Sequence, residues 1–254
     1  MSKRKAPPID YAPPRQGRPA VPALPIAFAA VTALVAVIYA GGSWPLLLLG
    51  LFTDGLLAIL WLCAMTGVGL FFLRLCRVEL PGSPALHRAA AAGVGIGLVS
   101  LLVLALGLMG IMHAVSAWII LIVGISVFAL AVQRRLKLAR AEAGKDSAWT
   151  WLLLILAPIL GIALVAAFVP PGILWGDEPH GYDVVSYHFQ IPREWHEAGH
   201  IMPLEHNVFS FFPFNVEMHY LLAMHLRGGA WAGMYLAQLM HCLLYTSPSP
   251  RDRG

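Results

Sequence analysis

The sequence predicts an all-α, polytopic membrane protein, and three observations carry that prediction. Of the 254 residues, 59% are hydrophobic and only 12% are charged, where a soluble domain carries about 25% charged residues. The apolar residues fall in long uncharged runs of the length a bilayer-crossing helix needs, about 20 residues. Lys and Arg sit at the ends of those runs rather than inside them. The formal charge of +4 therefore reflects membrane flanks and excludes a nucleic-acid partner.

Residues 1–22 form a Pro-rich, basic arm expected to be disordered. The first span is expected over 23–40, before the breaker Gly41-Gly42-Ser43-Trp44-Pro45. Residues 45–53 are too short to cross alone. A second span over 55–73 is closed by Arg74 and Arg77. The uncharged stretch 89–133 holds two spans, with a tight turn around Met112-His113-Ala114. A fifth span over 147–169 bends at Pro158 and stops at Pro170-Pro171-Gly172. Asp54, at the mouth of span two, reads as an N-terminal cap. Gly93, Gly95 and Gly97 thin one face of span three, as close helix packing in lipid requires.

The basic residues set an expected orientation. Thirteen of the 17 Lys and Arg residues lie in the arm, after span two and after span four, which all share one side. The N-terminus is then cytoplasmic and everything after Pro170 is extracytoplasmic in a multi-pass protein of the cell membrane. Cys63, Cys76 and Cys242 have no metal-ligand spacing, and the first two read as small apolar side chains. Residues 242–254 are expected to be an artefactual tail, because CLLYTSPSPRD resembles one reading frame of a transposon-end adapter used in DNA library preparation. Natural sequence is then expected to stop near His241, and the chain to be a fragment of a longer protein.

The chemistry is concentrated in residues 177–241, which hold eight of the ten histidines and seven of the thirteen acids, interleaved with aromatic residues. The spacing predicts helices over 182–189 and 192–198, Pro192 opening the second and Gly199 lying beyond its end. An extended stretch over 203–212 and a helix over 213–226 follow. Residues 230–241 begin a further membrane helix, a truncated sixth span. The loop 170–229 is thus expected as short juxtamembrane helices on the outer face.

The order Tyr182-Asp183-Val184-Val185-Ser186-Tyr187-His188-Phe189, Pro192-Arg193-Glu194-Trp195, Ala198-Gly199-His200-Ile201, Asn207 and Phe212-Pro213-Phe214-Asn215-Val216-Glu217-Met218 resembles the first outer loop of GT-C type glycosyltransferases, in the branch akin to protein mannosyltransferases. The resemblance covers residues 170–241. It implies an enzyme that transfers a sugar from a polyprenyl-phosphate donor to an acceptor on the outer face, with an acid of this loop in catalysis. Asp183 corresponds to that acid. The adjacent pair Asp177-Glu178 also matches an acidic pair of some members, and the base stays open among the three. Many members have one span before this loop, where five are expected here; both counts are odd and place the loop outside.

Glycosyl transfer needs a carboxylate to take the acceptor proton, and positive or hydrogen-bonding groups to hold the leaving phosphate. Tyr187 lies one turn beyond Asp183. Arg193 is the first outer-loop cation and a phosphate partner, with an ion pair to Glu197 as its competing role. His188, Glu217 and His219 complete the expected substrate-binding set. No metal ligand is assigned, no cofactor is required by the pattern, and a divalent cation is compatible with it. The partners expected are the lipid-linked donor and membrane lipids; the oligomeric state is open. Two other classes compete. His196-Glu197-Ala198-Gly199-His200 is a literal H-E-x-x-H, with His206 where a third zinc ligand would follow, so a zinc metallohydrolase is one alternative. A non-enzymatic polytopic subunit or transporter half is the other. The fragment alone is expected to lack turnover.

Overall fold

The computed structural model describes residues 23–78, 84–136, 154–170 and 183–245. Among these the architecture is helical throughout, without strands. Three helical runs are long and apolar enough to cross a membrane, Ala23–Leu75, Leu86–Leu108 and Ala114–Gln133. The first run contains α1 (Ala23–Ala40), α2 (Trp44–Gly50) and α3 (Leu56–Leu75), joined by a 3-10 turn at Gly41–Ser43 and a π turn at Leu51–Gly55. Gly41 takes φ +53°, open to glycine without the Cβ clash other residues meet. Then come α4 (Pro84–Leu108), α5 (Ala114–Leu136) and the shorter apolar α6 (Leu156–Ala166). Residues 1–22, and with them the disordered-arm reading, lie outside the described residues, as does the artefactual-tail reading beyond Tyr245.

Contacts fix how the long helices run. Thr32 donates to the Ala157 carbonyl at 3.2 Å, and Val35 packs on Gly161, so α1 and α6 are parallel. Gly69 meets Ala91 and Gly95 meets Met65, so α3 and α4 are antiparallel. A Cβ at Gly69 or Gly95 would collide with the facing carbonyl, whereas Gly93 and Gly97 face open space. Of the three expected packing glycines in span three, only Gly95 makes the close approach. Gly67 and Gly124 bring α3 and α5 together in the same way. The expected turn around His113 is present: the His113 amide donates to the Ser116 hydroxyl at 2.8 Å as α5 begins.

One expectation is corrected. Asp54 caps no helix; it lies inside the π turn, buried, with Arg227 Nε 3.0 Å from its Oδ1. Helix α2 continues through this widened turn into α3, so residues 45–53 extend the next helix. The chain after Phe189 packs along the side of α4. The Ile201 amide donates to the Gly107 carbonyl at 2.9 Å, near the end of α4. His219 Nε2, however, reaches the Ile96 carbonyl at 3.1 Å, and Ser100 donates to the Asn215 carbonyl at 2.7 Å. From Gly107 to Ile96 is about 16 Å along a helix, so the chain runs down the flank of α4 before turning back.

The helices of this region are α7 (Gln190–Ala198), α8 (Glu217–Arg227) and α9 (Ala230–Tyr245). Gly199 and Gly228 end α7 and α8 with φ +75° and +76°, as expected for Gly199. Helix α8 starts four residues later than the Pro213 signal suggests, and Val208–Phe211 is a 3-10 turn capped by Asn207. Ile191, Met218, Leu222, Met224, Leu236 and Met240 join Trp61, Met65 and Leu121 in one continuous core. That core ties α7, α8 and α9 to the long helices.

Candidate functional site

Asp183 is exposed at the start of a π turn, Val184–His188. One turn on, the Tyr187 hydroxyl lies within the influence of the Asp183 carboxylate. Partial burial first, then the charges of Asp183 and Glu217, push that hydroxyl above its ordinary range. The Tyr187 ring is held by stacking on Phe209, with centroids 4.4 Å apart, and by the edge of Phe212 at 6.5 Å. Asn207 anchors the same turn, donating from Nδ2 to the Ser186 carbonyl at 2.9 Å.

His188, next in sequence, points to the first turn of α8. Its Nδ1 lies 2.5 Å from Glu217 Oε1. Glu217 is buried while the His188 side chain remains 39% exposed. A buried carboxylate thus orients an imidazole whose other edge meets the outside, an arrangement that fixes how the ring is presented. Helix geometry then brings Tyr220, one turn beyond Glu217, onto the same face. The Tyr220 hydroxyl lies 2.6 Å from Nδ1 of His241 on α9, and the charges of Glu217 and His188 both act on His241. Asp183, Tyr187, His188, Glu217, Tyr220 and His241 form one polar cluster.

Sequence reading had not singled out Tyr220 and His241 as site residues. The Glu217–Tyr220 spacing was a usable signal; the approach of α9 was not, since it depends on how the α8–α9 hairpin closes.

Two expected ligands stand elsewhere. Arg193 donates from Nε to Glu197 at 2.9 Å and lies 5.3 Å over the Trp231 ring, so its competing ion pair is formed. His219 is fully buried, accepting from Trp61 Nε1 at 3.2 Å and bonding the Ile96 carbonyl through Nε2. It is a core histidine with both ring nitrogens engaged. Asp177 and Glu178 lie outside the described residues.

The H-E-x-x-H segment is split by its own helix end. Left-handed Gly199 stops α7 at Ala198, so His200 leaves the face that carries His196. His200 Nδ1 bonds the Ala198 carbonyl at 3.2 Å, and His196 packs its ring 4.5 Å from His225. Glu197 is committed to Arg193, and His206 to Glu194 at 3.0 Å. Among the described residues, no group of three His, Cys, Asp or Glu side chains is arranged to hold a metal ion. No protein family, curated protein or solved structure matches the chain.

Proposed function

We propose that this chain belongs to a membrane glycosyltransferase that moves a sugar from a polyprenyl-phosphate donor to an acceptor hydroxyl on the outer face. The single observation that carries the reading is the convergence of Asp183, Tyr187, His188 and Glu217 beside the helix bundle. In the step proposed, the acceptor oxygen attacks the anomeric carbon. The bond from that carbon to the donor phosphate breaks, and the phosphate leaves with the electron pair. Asp183 takes the acceptor proton, as the exposed carboxylate of the group. His188, positioned by Glu217, donates to the leaving phosphate, the part assigned in the sequence to Arg193. The same reading places five spans before the loop, the N-terminus in the cytoplasm and the cluster on the outer side. The parallel run of α1 and α6 and the antiparallel run of α3 and α4 support that threading.

The test is turnover with a lipid-linked donor. Asp183→Asn keeps size but removes the basic lone pair, and turnover is expected to fall at least about 100-fold with donor binding kept. Asp177→Asn and Glu178→Gln are expected to cost less. Near-normal turnover in Asp183→Asn with loss in Asp177→Asn would move the base to the earlier pair. Activity in all three variants would end the glycosyltransferase reading.

A further inference from the structure

At the far end of α8 from the carboxylate cluster, a cavity of about 600 Å³ opens between the ends of α1 and α6, the segment from α2 through the π turn, and α9. Its lining is apolar apart from a few converging groups, chiefly Arg227, Asp54, Thr53 and Ser43. We propose that this cavity binds the phosphate headgroup of a membrane lipid, with Arg227 as its anion ligand.

The ion pair beside the cavity presents the guanidinium without using it up. Arg227 Nε is 3.0 Å from Asp54 Oδ1. The contact is off the N–H direction, since that hydrogen turns to the Ala232 carbonyl at 3.5 Å, and Oδ1 receives no hydrogen bond. Both of these contacts of Arg227 run through Nε. Asp54 is buried, with Oδ2 accepting from Thr53 at 3.3 Å, so the carboxylate anchors the arginine by one edge. The remaining edge is a planar fork of donors, matched to two phosphate oxygens.

The walls point to a lipid rather than a free ion. Tyr39, Leu46 and Leu49 line the cavity and are 63%, 70% and 61% exposed. The apolar lining therefore continues onto the outside of helices long enough to cross a membrane. A headgroup inside would leave its hydrocarbon chains along that surface, and cavities of about 300–1,000 Å³ suit ligands of headgroup size. The π turn that carries Asp54 is itself a geometry seen mostly at functional places. This site does not rest on sugar transfer. Arg227 and Glu217 are ten residues apart on α8, about 15 Å, beyond the reach of one transfer step.

The experiment is native mass spectrometry of the full chain in neutral detergent. The probes are dioleoyl phosphatidic acid, dioleoylglycerol with the same chains but no phosphate, and inorganic phosphate. Retention of one phosphatidic acid is expected, with neither of the other two retained. Arg227→Lys keeps the charge but loses the fork, and should weaken retention at least about tenfold. Ser43→Trp leaves the ion pair intact and fills the cavity; it should do the same, and it decides the matter if Arg227→Lys does not fold. Unchanged retention in Ser43→Trp, or equal retention of dioleoylglycerol, would overturn the proposal. Displacement by inorganic phosphate would reassign the cavity to a soluble anion and overturn its lipid part.

Discussion

The indole of Trp61 on α3 donates to Nδ1 of His219 on α8 at 3.2 Å, with the two rings edge to face at 5.3 Å. Both side chains are fully buried. The bond fixes His219 as the Nε2–H tautomer, and that hydrogen goes to the Ile96 carbonyl. One imidazole thereby pins α8 to α3 and α4 at once. A histidine that reads in the sequence as a ligand is a bolt between helices.

Removing the donor should expose how much that bolt contributes. Trp61→Phe leaves Nδ1 buried without a partner, which costs about 1–3 kcal/mol, and adds a cavity on top. Thermal unfolding in detergent should show a lowered midpoint for Trp61→Phe, while Trp118→Phe, at an exposed position, should change little. Equal midpoints for the two variants would remove the bolt from the account.

Acid should loosen the same region. Burial pushes His219 down from the ordinary 6.5 to about 4, against the Ile96 carbonyl, which favours the charged form. Burial also pushes His225 down to about 4, with help from His196 and His113. The unfolded chain therefore takes up protons from pH 6.5 downward while the folded chain does not. Their contribution to stability is complete above pH 6.5 and is lost as pH falls toward about 4. Unfolding midpoints measured across that interval should fall, and less steeply in His225→Gln. A flat profile would contradict the burial of both rings.

Much of this architecture is legible because burial in lipid imposes a simple rule: a charge-free run of helical length. The turns at His113, Gly199 and Gly228 follow from residues with one favoured local role. What the sequence does not disclose depends on partners far along the chain. Asp54 looks like a cap because capping is local, whereas its actual partner, Arg227, lies 173 positions away. The descent of the loop along α4 is likewise invisible to periodicity, since it rests on single contacts such as Ser100 to Asn215. Within the site, Asp183, Tyr187, His188 and Glu217 were readable as residue types at a helix start. His219 and Arg193 shared those types and were drawn off by Trp61 and by Glu197.

The proposed threading makes a labelling prediction that uses a native residue. In a Cys242→Ser background, Cys76, exposed just beyond α3, should resist an impermeant thiol reagent applied to intact cells. A cysteine placed at Glu205, exposed on the loop, should react. Labelling of Cys76 from outside would invert the orientation and remove the outer-face chemistry.

The broken H-E-x-x-H motif predicts independence from zinc. With His200 beyond the left-handed Gly199, His196→Ala and His200→Ala should each leave transfer within about tenfold. Stoichiometric zinc that disappears with either change would restore the hydrolase alternative.

The last prediction concerns the pair His188–Glu217, 2.5 Å apart. If Glu217 acts by orienting His188, losing either should remove the same contribution to transfer. Glu217→Gln keeps a hydrogen-bonding side chain but drops the carboxylate that orients the ring, and His188→Gln drops the ring itself. Each is expected to reduce turnover by about 10² or more, within the span ascribed to one acid–base group. The double variant should be little worse than the worse single one, because residues acting as a unit are not additive. Measured turnover of the four proteins closes the cycle. A double variant whose loss equals the product of the single losses would show that the two side chains act separately, leaving Glu217 as a first-turn charge that suits the α8 dipole.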